Sequence, residues 1–283
     1  MKKAADLTLQ IRPVSTIDEF REAELLQKEV WGIPDMDVVP MYHLVAAKES
    51  GGVILGAFDR EEMVGFVYGF VGFERGRTVH HSHMLAVREA YRSQGLGYQL
   101  KCEQRNSILD QGIEIMTWTF DPLQSRNAFF NFRKLGVVAD RYYTDLYGSD
   151  AASFLHRNGT DRLWVSWHVA GERVSRRLSG EERFEPEGKA ISLVSIDASG
   201  KPLRNDRVSL GETDRLNIEI PGDISAIELA DPSLARHWRL ETRAAFSMAL
   251  NARFLVEDFR VNDRGGEKFG CYVLTKNEDL RFW

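Results

Sequence analysis

The chain has 283 residues, 43% of them hydrophobic and 28% charged, with a formal net charge of −5. That is more than one small core needs, and the balance is that of an ordinary globular protein. A mildly acidic chain is a poor candidate for non-specific nucleic-acid binding, which relies on neutralising phosphates, and no apolar run reaches bilayer-spanning length.

The cysteines, Cys102 and Cys271, form no CxxC pair and no zinc-ligand spacing, so neither a metal centre nor a disulfide framework is expected. Such usage suits a reducing cytosol. The start, MKKAADLTLQIRP, carries two lysines with no apolar stretch behind them and is not read as a signal peptide. The expectation is a cytoplasmic protein without membrane contact.

In chain order, LTLQIRPVS (Leu7–Ser15) alternates apolar and polar residues and predicts a strand. Thr16 and Glu19 form a T-x-x-E capping box that opens a helix with Phe20, Ala23, Leu26 and Val30 as its stripe. Gly32-Ile33-Pro34 should stop it. A short helix is predicted over Pro40–Lys48. GGVILGAFD and MVGFVYGFVGF, parted by the polar Asp59–Glu62 turn, read as a hairpin. A strand over Thr78–Val87, a glycine turn and a helix follow. IEIMTWTF (Ile113–Phe120) reads as a buried strand closed by Asp121-Pro122. Ser125–Leu135 reads as a helix capped by Gly136. VVADRYYTDLYG and DRLWVSWHV are two more strands.

The order β-α-α-β-β-β-α-β-α-β-β, with a helix crossing between the fourth and fifth strands, implies one parallel pair in a mixed, mostly antiparallel α/β (α+β) sheet with helices on both faces. The expected domain is 1–170. Residues 171–189 are charged and apolar-poor and read as a solvated linker. Residues 190–283 form a smaller α/β region of unknown role, with ISLVSI and LNIEI as strands, a helix over Pro232–Leu250, and a closing hairpin. Ile113–Gly148 and Leu216–Val261 share the order strand, Asp-Pro, helix, strand. Asp-Pro is common before helices, so the echo alone is not taken as a repeat.

Chemistry concentrates in HSHMLAVREAYRSQGLGYQLK (His81–Lys101). Arg92-Ser93-Gln94-Gly95-Leu96-Gly97 is an R-x-x-G-x-G turn between strand and helix. There the backbone N–H groups and the helix N-terminus favour an anion such as a pyrophosphate. It is not a Walker loop, and Leu100 stands where a dinucleotide fingerprint needs its third glycine. On a strand His81 and His83 share a face, and His80 and Ser82 take the other. Only two of the three histidines share a face and no Cys or carboxylate joins them, so a metal site is not expected.

LAVREAYRSQGLGYQL resembles the GNAT superfamily of acyl-CoA-dependent N-acyltransferases, over roughly Leu7 to Ala170 in element order. The chain also resembles a bacterial subgroup of predicted acetyltransferases with an added C-terminal region. The resemblance implies that acetyl-CoA or another acyl-CoA is the co-substrate. It assigns Leu85, Ala86 and Val87 to the pantetheine arm and Arg92, Ser93, Gln94, Gly95, Leu96, Gly97 and Tyr98 to the pyrophosphate turn. NAFFNFRKLG (Asn127–Gly136) resembles the family's N-A-x-x-x-Y-x-K-x-G segment and makes Asn127 a cofactor contact. Phe132 replaces the tyrosine that often protonates the departing thiolate, so either another acid serves, with Tyr98, Tyr142 and Tyr143 as candidates, or the thiolate leaves without one. HSHMLAV resembles the H-x-H-x-L-A-V strand of the serotonin N-acetyltransferase group, which implies that His81 and His83 deprotonate the amine. Trp31, Trp118, Asp121 and Arg126 are weaker substrate candidates, Arg126 as a partner for a carboxylate.

These readings imply an N-acyltransferase that moves an acetyl or succinyl group to the amine of a small molecule such as an amino acid. The alternative, motivated by Phe132, is a non-catalytic acyl-CoA-binding or regulatory protein. For residues 190–283 the open roles are a surface that forms a homodimer and a cover over the acceptor site.

Overall fold

The computed structural model describes residues 9–148, 158–181, 190–211 and 213–277. The chain packs as two compact units, the first ending at Trp118 and the second starting at Thr119.

In the first unit, β1 (Leu9–Pro13), α1 (Ile17–Trp31), α2 (Met41–Glu49), β2 (Val53–Asp59), β3 (Glu62–Glu74), β4 (Arg77–Val87), α3 (Leu96–Asp110) and β5 (Ile115–Phe120) follow in the predicted order. The strands lie in the order β1-β2-β3-β4-β5, antiparallel except for β4 and β5. Thr16 and Glu19 complete the capping box of α1, and Gly32 ends that helix in the left-handed conformation. Phe20, Leu26 and Leu44 from α1 and α2 pack on Phe58, Phe66 and Tyr68 of the sheet. The opposite face takes α3. Buried Gln27 holds both backbone groups of Val39, at 2.8 and 3.0 Å, and so fixes where the chain turns into α2.

In the second unit, α4 (Ser125–Ala128) runs into a π-helical turn (Phe129–Leu135), then β6 (Val138–Tyr143), β7 (Arg162–His168) and α5 (Glu172–Leu178). There follow β8 (Ile191–Ile196), β9 (Pro202–Arg204), β10 (Arg215–Pro221), α6 (Ile224–Ala230), α7 (Pro232–Asn251), β11 (Leu255–Arg264) and β12 (Glu267–Thr275). The strand order is β7-β6-β11-β12-β10-β8-β9.

Two organisational expectations change here. The segment expected as a solvated linker from Gly171 includes helix α5, which buries Val174 and Arg177; its remainder, 182–189, lies outside the described residues. The expected boundary near 170–190 also differs from the packing. β11 pairs with β6 through Val256 and Ala139, so the C-terminal strands share a sheet with β6 and β7. Composition reveals a polar stretch, but strand pairing across it does not show in local sequence.

The second unit also gives the sequence echo structural content. β8 and β10 form a parallel pair, as β4 and β5 do, and each pair is followed by Asp-Pro, helix and an antiparallel hairpin. Asp231 caps α7 by accepting from the Ser233 and Leu234 N–H groups. Among the described residues no helix is long and apolar enough to cross a membrane.

Asp121 has a structural partner. Its carboxylate takes a two-pronged ion pair from Arg239, at 2.7 and 2.8 Å, and accepts the Leu123 N–H. Arg239 is 2% exposed and Asp121 8%. Removing one partner of such a pair strands the other charge away from water. Asp121→Ala should therefore lower stability by about 3–5 kcal/mol in urea unfolding, with a smaller loss for Asp121→Asn. A loss within experimental error for Asp121→Ala would show that the pair contributes nothing.

Candidate active site

The site rests on how β4 leaves its neighbours. β4 and β5 pair only at His80–Met116 and His81–Thr117, beyond which they diverge. On its other side, β4 pairs continuously with β3 except at one bulge. Tyr68 faces Met84 and Gly69 faces Ser82, so His83 is the extra residue with no partner in the ladder. A bulge re-aims side chains and shifts their alternation. Before it, His80 and Ser82 face α3; after it, Leu85 and Val87 face that side and Met84 and Ala86 join the core under α1 and α2. Gly69 is required opposite the bulge, since a Cβ there would collide with the His80 ring and the His81 carbonyl.

His81 and His83 share the α1/α2 face within an aromatic cluster. Phe70 lies 5.4 Å from the His81 ring and 6.0 Å from the His83 ring, and the two imidazole centres are 6.3 Å apart. Tyr68 stands edge-on to His83 at 6.1 Å. Burial raises the pKa of the Tyr68 hydroxyl, which shares a hydrogen bond with His43 Nε2 at 2.9 Å. The Gln27–Val39 clamp is what places His43 there.

The two histidines differ in their surroundings. His81 Nδ1 is held by the buried hydroxyl of Thr117 at 3.1 Å, which fixes its ring. Among the described residues, no hydrogen-bond partner takes the ring nitrogens of His83, which is exposed on one side. Desolvation by its neighbours, with the nearby His43, moves the His83 pKa below the usual histidine value. It is therefore a neutral base at physiological pH.

Behind β4 lies a network that the sequence did not reveal. Lys101 of α3 is 4% exposed; its Nζ donates to Ser82 Oγ at 2.7 Å and sits 3.8 Å from the centre of the Trp118 ring. Ser82 donates to Gln104 Oε1 at 2.7 Å, and the Gln104 amide meets His80 Nε2 at 3.1 Å. Ser82 and Trp118 are the first residues of β4 and β5 past the paired stretch, so Lys101 fills the base of the divergence. Burial lowers the Lys101 pKa well below normal, and lowers that of His80 to about 3. A lysine on the buried face of a helix was the one available signal.

The glycine turn takes the predicted form. Ser93 and Gly95 have positive φ, and Gly95 opens α3 with no side-chain cap, leaving its first N–H groups to an outside acceptor. The turn from Arg92 to Gly95 is exposed. Arg92 Nε donates to the Val87 carbonyl at 2.9 Å and ties the turn to the end of β4. Leu85 contacts the position where a Gly97 side chain would begin. Tyr98 is half-buried beside Cys102, and burial raises its pKa.

Several weaker candidates sit elsewhere. Trp118 is buried under Lys101, and Asp121 is committed to Arg239, so neither is available to a substrate. Trp31 packs edge-on against Phe66 at the margin of the α1/α2 core. Asn127 and Arg126 are exposed on α4 of the second unit. Phe132 is fully buried between Phe120 and Tyr272, which gives an apolar residue its reason there. Tyr142 donates to Asp161 at 2.5 Å and stacks on Phe246, so it holds the second unit together and is withdrawn as an acid. Tyr143 packs against Trp164.

The stability of the first unit should carry the signature of His80. Its folded pKa lies below the ordinary 6.5, so between 6.5 and about 3 the unfolded chain binds a proton that the folded chain refuses. Stability then falls as the pH falls through that window, at up to about 1.4 kcal/mol per pH unit. Denaturant unfolding across the window should show that slope, and His80→Gln should reduce it. An unchanged slope would place the acid sensitivity elsewhere.

Residues 16–136 match the model of the Acetyltransferase (GNAT) family. No curated protein sequence matches the chain significantly. Among solved structures, the ribosomal-protein-S18-alanine N-acetyltransferase from Escherichia coli is 14% identical with a TM-score of 0.46, over 58% of this chain and 97% of its own. Aminoglycoside 6'-acetyltransferase type Ii is 16% identical with a TM-score of 0.46, over 58% and 99%. An aminoglycoside 6'-N-acetyltransferase complexed with coenzyme A is 14% identical with a TM-score of 0.43, over 58% and 98%. The segment that matches the acetyltransferase (GNAT) family model, Thr16 to Gly136, holds the divergent strands, the histidine pair and the glycine turn.

Proposed function

We propose that the chain is an acyl-CoA-dependent N-acyltransferase acting on the amine of a small molecule. The observation that carries this is His83, a neutral, outward imidazole at the bulge of β4 where β4 and β5 part. Acyl-CoA would supply a thioester whose carbonyl carbon an amine can attack. The uncapped start of α3 and the Arg92–Gly97 turn suit its pyrophosphate, and the backbone of Leu85–Val87 suits its amide-bearing arm.

An amine attacks only through its neutral lone pair. His83 accepts the proton that the amine sheds as the new C–N bond forms, directly or through one water. His81, steadied by Thr117, orients the nucleophile beside it. As the C–S bond breaks, the thiolate needs a proton. Phe132 has none to give, so the thiolate takes it from solvent or leaves without a protein acid. Backbone N–H groups near Leu85 polarise the thioester carbonyl. An acetyl or a succinyl group fits this scheme equally, and an amino acid remains the proposed type of acceptor. The cytosol is the proposed compartment.

With an amine screen and thiol-release detection, His81→Ala combined with His83→Ala should lower kcat/KM by about two to four orders of magnitude. The acid limb of the wild-type pH–rate profile should lie below 6.5, following the direction of the His83 shift, and His83→Gln should remove it. Unchanged turnover in the double variant would exclude the pair from the chemistry, whereas acyl-CoA binding without thiol release for any amine would favour a binding role without transfer.

A further inference from the structure

The second unit contains its own divergent parallel pair, and a cavity of about 990 Å³ opens at the end of it. β8 and β10 pair from Leu216–Ile191 to Ile218–Val194 and then separate. Past that point the Ile196 N–H donates to the Glu219 carboxylate at 2.8 Å in place of a backbone group. β10 meanwhile keeps pairing with β12 as far as Pro221–Phe269. The strand ends Ile196-Asp197 and Pro221-Gly222 line the cavity, joined by Ser125, Arg126, Phe129, Val261 and Phe269. Ligands in α/β sheets bind in crevices outside the carboxyl ends of parallel strands, and the volume lies at the upper end of small-molecule sites. Gly222 is needed for this shape, since a Cβ there would collide with the Lys268 carbonyl.

The charges decide what the cavity accepts. Two of its three acidic groups already accept hydrogen bonds. Asp197 accepts from the Ser199 N–H, the Ser199 hydroxyl and the Lys201 N–H, and Asp223 accepts from the Ala226 N–H. Glu267 faces Arg264 across the β11–β12 pair. Arg264 itself is fixed, donating to the Ile196 carbonyl at 3.0 Å and lying over the Phe269 ring. Arg126 and Lys268 also line the cavity and, among the described residues, have no carboxylate partner. Phe129, Phe269, Val261, Ile227 and Pro221 give it apolar walls. No glycine turn of the Arg92–Gly97 kind joins β8 to β10, so a nucleoside diphosphate is not the natural guest.

We infer that the cavity at the ends of β8 and β10 is a second ligand site, for an organic carboxylate with an apolar body, held by Arg126 and Lys268. The site is independent of acyl transfer by the first unit. It gives the C-terminal region a binding role in place of the purely covering role considered from sequence.

Isothermal titration of the full chain with three matched probes tests this: 4-phenylbutyrate, neutral 4-phenylbutyramide and cationic 4-phenylbutylamine. The carboxylate should bind saturably, and the amide should bind about tenfold more weakly, a difference of about 1.4 kcal/mol. Arg126→Gln with Lys268→Gln should erase that preference, and Ala226→Trp should block all binding by filling the cavity. All three positions are exposed, so these variants should keep the wild-type melting temperature. Equal binding of acid and amide, a preference that survives the double substitution, or no saturable binding of any probe would overturn the proposal.

Discussion

A strand that stops pairing in the middle of a sheet leaves backbone N–H and C=O groups to be satisfied some other way. That constraint governs the first unit. β4 and β5 share only two residue pairs. Past them the sheet survives because β4 holds to β3 on its far side and α3 covers the gap from one face. The opened backbone of β4 is what an extended, amide-bearing ligand can pair with. The bulge on the same strand leaves His83 without a ladder partner and on the same face as His81. One irregular strand thus offers backbone pairing groups along its length and a base at its kink.

The gap is held open by polar chemistry. Lys101 reaches the first unpaired residue of each strand and, among the described residues, has no carboxylate partner; burial lowers its pKa. Through Ser82 and Gln104 it joins His80, whose Nδ1 is buried without a partner. A core of leucines would be the simpler packing solution. The network's three hydrogen bonds hold Ser82 and His80, the two residues that flank His81 on β4. The outward-facing histidines owe their position to the inward-facing side chains between them.

Much of the first unit was legible because its signals are local. The capping box at Thr16, the glycine turn and the period-two alternation of HSH each depend on residues close in sequence, and each took its expected form. The bulge was not legible, since it depends on how β3 registers against β4, and only Gly69 hints at it. Trp118 and Asp121 read as site residues because they follow a strand beside the histidines. Their partners, Lys101 and Arg239, could not be assigned from sequence. Phe132 looked like a missing acid and is instead a core aromatic. The second unit was the least legible part. Its parallel pair joins distant strands, and the shared Asp-Pro was too common a pattern to carry the inference alone.

The central claim is that the turn from Arg92 to Gly97 and the opened β4 bind an acyl-CoA. Thermal unfolding with coenzyme A, acetyl-CoA and succinyl-CoA tests it most directly, with Gly95→Val as control, because that residue needs the left-handed backbone and faces open space. A ligand present at about one hundred times its dissociation constant should stabilise the wild type by about 2.7 kcal/mol. The account predicts a clear upward shift with at least one of the three, lost in Gly95→Val. No shift with any of them, in a sample that unfolds cooperatively, would contradict the account.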